Sequence, residues 1–166
     1  MCPRPTIAAI IVAVLIAAGS PPSARAVPTD NACSLLAQAQ VSAALGVLVG
    51  PGQPVVPNIP GRPTPTVSKI CGWNEGGSAT PTDKRVVLTI TTVQSFTNGK
   101  TPFKGITKEP TNGVGDDAYY ITTPGFGTGL SVKKGDSALQ IRLYGFPLDQ
   151  IKAIEKTLAQ QALSKI

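Results

Sequence analysis

Three cysteines occur in this chain of 166 residues, and the placing of two of them constrains its fold more than any other feature. Cys33 and Cys71 lie 38 residues apart, whereas Cys2 stands ahead of an apolar run near the N-terminus. That run, Ile7 to Ala18, follows the basic Arg4 and leads through GSPPSARA to Ala24-Arg25-Ala26, a small-x-small cleavage pattern. These are the three parts of an export signal, expected over residues 1–26. A spanning helix needs about 20 apolar residues, so the run is too short to be one. Gly19 and Ser20 follow it where an acylated cysteine would be required for lipid anchoring. Cleavage before Val27 places the mature chain outside the cytoplasm, either secreted or periplasmic, with no transmembrane segment left. It also removes Cys2, and an even pair in an oxidising compartment is most simply a Cys33–Cys71 disulfide. A loop of that length is stabilised by ~4 kcal/mol in the chain-entropy account.

Removing Arg4 and Arg25 lowers the formal charge from +6, leaving 13 basic against 9 acidic residues. The modest excess permits attraction to anionic partners without naming one. Histidine is absent from the sequence. Ser-His-Asp and Cys-His nucleophile pairs and histidine-ligated zinc are therefore excluded, and no metal or cofactor is expected. Hydrophobic residues make up 42% of the chain, too many for a disordered one, and residues 27–166 suit a single domain.

Between its ends the chain is cut into short pieces by glycine and proline. Ala32 to Leu45 reads as a helix, with Asp30 or Asn31 at its start and Gly46 as a left-handed cap. Residues 50–69 are rich in proline and glycine and read as a long surface loop, since such sequence cannot form a central strand. Ile70 to Trp73, Arg85 to Val93, Ala118 to Thr122, Leu130 to Lys133 and Ser137 to Tyr144 read as strands, the last two forming a hairpin around Lys134-Gly135. Residues 98–110 are polar and punctuated, and read as a loop with room for a helical turn. Pro147 to Leu163 reads as a closing helix, with an apolar stripe of Ile151, Ile154, Leu158 and Ala162. No βαβ repeat is present. The expectation is an α+β fold: one twisted antiparallel sheet of about five strands, with an N-terminal and a C-terminal helix packed on one face.

Four stretches occur together in order: Asn31 to Leu36 (NACSLL), Val41 to Gly46 (VSAALG), Cys71-Gly72-Trp73, and Gly113 to Tyr120 (GVGDDAYY). In this the chain resembles small secreted proteins and lipoproteins of actinobacterial type that form a family of domains of unknown function. The resemblance covers Asn31 to the final helix. It implies a secreted or cell-envelope role, a disulfide and an α+β fold, and it carries no catalytic residues across. Many members are lipid-anchored, and this chain departs from them in lacking the anchoring cysteine.

Asp116-Asp117 is the sole adjacent pair of carboxylates. It lacks the further oxygen ligands that calcium needs, and reads as a turn whose carboxylates accept backbone N–H groups. Gly113-Val114-Gly115 and Gly125 to Gly129 also read as turns, because no helix follows to hold a phosphate. Trp73, two residues from Cys71, is expected in the core against the disulfide. Arg85, Lys133 and Arg142 are expected on the sheet face away from the helices, near Lys100, Lys104, Lys108 and Lys134 from loops. With Tyr119 and Tyr144 they are the candidate binding residues, for a small ligand, an envelope component or a protein. Adjacent Tyr119 and Tyr120 must face opposite sides, which leaves one of them open to exposure. No nucleic-acid-binding motif is present. The reading is a non-enzymatic exported binding or envelope-associated domain. A histidine-free hydrolase using Ser/Lys or carboxylate chemistry, or a purely structural envelope protein, is the alternative.

Overall fold

A computed structural model describes residues 30–55, 69–77 and 84–166. The export signal expected over 1–26 and most of the 50–69 loop lie outside the described residues. Within them the fold is α+β. A 3-10 turn at Ala32–Ser34 precedes α1 (Gln38–Leu45), β1 (Gln53–Pro54), β2 (Ile70–Asn74) and β3 (Arg85–Thr91). Then follow α2 (Val93–Gly99), β4 (Thr107–Thr111), β5 (Asp117–Thr123), β6 (Gly127–Lys134), β7 (Ser137–Tyr144) and α3 (Leu148–Leu163). The strands form one antiparallel sheet in the order β1-β2-β3-β7-β6-β5-β4. Seven strands are described where five were expected, and the two extra ones are its edges. Their sequences, Gln-Pro and Thr-Lys-Glu-Pro-Thr, show no apolar alternation, and each contains a proline that an edge tolerates.

The disulfide joins Cys33 to Cys71 with the Cα atoms 5.1 Å apart, tying the 3-10 turn to β2. That attachment falls where a single helix from Ala32 to Leu45 was expected. The chain instead leaves the 3-10 turn, buries Leu35 and Leu36, and passes through an extended Ala37 before α1 begins. Asn31 Oδ1 accepts the Cys33 N–H, and Gln40 Oε1 accepts the Ala37 N–H, so each helical piece has its own cap. Gly46, at φ 68°, ends α1 in the left-handed conformation.

The main core lies between the sheet and the helices α1 and α3. Cys71, Trp73, Val86, Leu88, Leu130, Val132, Leu139, Ile141 and Leu143 alternate inward from the strands and meet Val41, Leu45, Ile151, Leu158 and Ala162. Trp73 is fully buried. Gly52 passes so close that a Cβ there would stand 2.8 Å from the indole and 3.0 Å from Cys71 Sγ, which places the ring beside the disulfide. Lys134 Nζ donates to the carbonyls of Leu163 and Ile166, and Lys165 Nζ donates to Ser34. The end of α3 is thus held to the β6–β7 hairpin and to the 3-10 turn.

Not all the helices share one face. α2 packs on the opposite side, where Phe96, Tyr119 and Ala138 form a second small cluster. Thr92 Oγ1 caps α2 by accepting the Ser95 N–H. With a single buried side chain in seven residues, this helix has no periodicity to read. Residues 98–110, expected as a loop with room for a helical turn, therefore hold the end of α2 and all but the last residue of an edge strand.

Candidate functional site

Alternation along β3 and β7 sends half of each strand's side chains to the face opposite α1 and α3. Three cross-strand rungs line up there: Arg85 with Tyr144, Val87 with Arg142, and Thr89 with Gln140. Val87, Thr89, Gln140, Arg142 and Tyr144 line a groove of about 240 Å³, and Arg85 adjoins it through its contact with Tyr144. The Arg85 guanidinium lies 4.3 Å from the Tyr144 ring centroid, within range of a cation–π contact. On the other side of Arg142, the paired position in β6 is Gly129. A Cβ on Gly129 would come within 3.0 Å of Arg142 Nε. The glycine therefore gives the guanidinium a seat over the neighbouring strand.

No carboxylate lines this groove. The ion pairs formed among the described residues are Lys69–Asp30, Lys100–Asp117 and Lys152–Glu109, so neither Arg85 nor Arg142 is neutralised by one. The acid that senses Arg142 is Glu155, which points from α3 into the core. Glu155 is fully buried. Burial pushes its carboxyl up to about 8, against smaller opposing effects from its hydrogen bond to Leu143 and from Arg142. The β6–β7 pairing stops at Gly129 and Arg142, and Glu155 Oε1 accepts the Leu143 N–H one residue further on, at 3.2 Å. Its Oε2 has no hydrogen-bond partner among the described residues. Glu155 thus fastens helix to sheet and is out of reach of any ligand. In the sequence its one signal is its place in the stripe, four residues after Ile151 and three before Leu158.

The other candidates disperse. Lys133 lies on the same face but pairs with Ala138, four rungs along from Gly129–Arg142 and near the end covered by α2. Tyr119 is buried under α2 and donates to the Phe96 carbonyl, while Tyr120 is buried on the core side and donates to Lys152. Neither is exposed, contrary to the expectation for one of them. The reason is that α2 covers the face that Tyr119 occupies. Burial raises both phenols above their ordinary range.

Asp116 accepts the Gly135 N–H and Asp117 pairs with Lys100, so the two carboxylates serve a turn and a surface ion pair. Among the described residues no group of three or more acidic or cysteine side chains comes together as a metal site. No helix there is long and apolar enough to cross a membrane. Compared with known proteins, the chain matches no protein-family model, no curated protein and no solved structure.

Proposed function

We propose that this chain is an extracytoplasmic binding domain, without a catalytic role, that holds an anionic group in the open-face groove. The observation that carries the reading is Arg142 lining a groove with no carboxylate of its own, with the Arg85 guanidinium beside it over the Tyr144 ring. A guanidinium presents a planar fork of donors suited to carboxylate, sulfate or phosphate oxygens. Thr89, Gln140 and Tyr144 add neutral hydrogen-bonding groups beside it. The groove is smaller than the roughly 300–1,000 Å³ of sites that engulf a whole small molecule. It suits the charged end or repeating charged unit of something larger, such as an acidic glycan of the cell envelope. The disulfide, the expected export signal and the resemblance to secreted and envelope proteins all favour a role outside the cytoplasm.

Isothermal titration against inorganic phosphate, sulfate and a galacturonate trimer tests this reading. At least one should bind, and Arg142→Ala should weaken it about 10- to 100-fold, as expected for a lost charged hydrogen bond. Binding that survives the double change Arg85→Ala/Arg142→Ala, or no binding of any of the three, would contradict it.

A further inference from the structure

Large apolar side chains exposed singly are ordinary on a protein surface, but their distribution here is not scattered. Five are exposed among the described residues: Leu48, Val55, Phe103, Phe126 and Leu148. The register places four of them at one end of the sheet. Val49 bridges to Glu75, just past β2, which puts Leu48 there. Phe126 occupies the β5–β6 turn, Phe103 precedes β4, whose first residue pairs with Thr122, and Leu148 opens α3 just beyond Tyr144. Their exposures are 84% for Leu48, 70% for Phe103, 66% for Phe126 and 63% for Leu148, so these side chains stand out into solvent. Val55 is at the other end, where its N–H donates to Ile70.

Positive charge accompanies the tips. Lys104 adjoins Phe103, Lys84 stands 5.2 Å from the Phe146 ring centroid, and Arg85 covers Tyr144. Glu75 and Asp149 are the acids among the described residues at this end, and Glu75 accepts the Lys84 N–H. Strands lie about 4.8 Å apart, so the tips are strung along roughly 25 Å from β2 to β4. A protein partner would need a continuous apolar core opposite them. A bilayer interface accepts separate apolar wedges between headgroups while lysines remain at headgroup level.

We infer that this end of the sheet docks on an anionic lipid surface, with Phe103, Phe126, Leu148 and Leu48 entering the interface and Lys84 and Lys104 on the headgroups. The inference is independent of the groove and stands or falls without it. Co-sedimentation of the full chain with vesicles of phosphatidylcholine and phosphatidylglycerol, against phosphatidylcholine alone, is the test. Binding is expected to the anionic vesicles, about tenfold weaker for Phe103→Ser/Phe126→Ser at unchanged melting temperature, and retained by Arg142→Ala. Absence of sedimentation overturns the inference, as does binding unchanged in the double serine variant. Self-association lost in that variant, without vesicle binding, would assign the tips to a second copy and equally overturn it.

Discussion

Glu155 stores the most pronounced electrostatic consequence of a single side chain in this fold. Its carboxyl stays protonated when folded up to a pH of about 8, whereas an unfolded glutamate releases its proton near 4.5. Between those limits the folded state binds the extra proton, so stability is fullest below about 4.5 and falls as pH rises towards 8. The melting temperature at pH 5.5 should therefore exceed that at pH 8.5. Glu155→Gln keeps the acceptor for the Leu143 N–H and cannot ionise. It should flatten this dependence and be the more stable form at pH 8.5; a wild-type melting temperature that rises over the same interval would contradict the assignment. Trp73 and Gly52 act through shape. A methyl group at Gly52 meets the indole and Cys71 Sγ, so Gly52→Ala should destabilise by about 1–3 kcal/mol in a denaturant titration.

Among the elements, those carrying an apolar period were legible in the sequence. β3 with Val86 and Leu88, the β6–β7 hairpin and α3 with Ile151, Leu158 and Ala162 lie within a few residues of where alternation or helical spacing puts them. What escaped was structure whose reason lies elsewhere in the chain. β1 and β4 exist because β2 and β5 offer free edges, and α2 exists because Phe96 finds Tyr119 and Ala138 beneath it. Phe96→Ala should cost about 3–5 kcal/mol, the range for removing a buried phenylalanine. It should also speed amide exchange at Tyr119 and Ala138, the two residues that pack against Phe96. Exchange there equal to wild type would show that α2 does not close that end of the face. The site was half legible. Alternation placed Arg85, Arg142 and Tyr144 on one face, but the groove that Arg142 and Tyr144 line depends on the register and on Gly129, which spacing alone does not supply.

For the whole molecule, the two faces of one sheet divide the work. One is closed by α1, α3 and the disulfide, and builds stability. The other is covered by α2 over part of its length and leaves a groove at the β3–β7 rungs. The disulfide links the first described turn to β2, so reduction releases a 38-residue loop into the unfolded ensemble. Stability should drop by about 2–5 kcal/mol, and Cys33→Ala/Cys71→Ala should match the reduced wild type. Equal melting temperatures with and without reductant would contradict that role. The open rungs are the central functional claim, and an amide NMR titration of the isotope-labelled chain with a galacturonate trimer and with inorganic phosphate tests it most directly. The expected result is that shifts concentrate at residues 85–89 and 140–144 and vanish in Arg142→Ala. Shifts confined to the lysines of the α2–β4 region, or none at either probe, would contradict it.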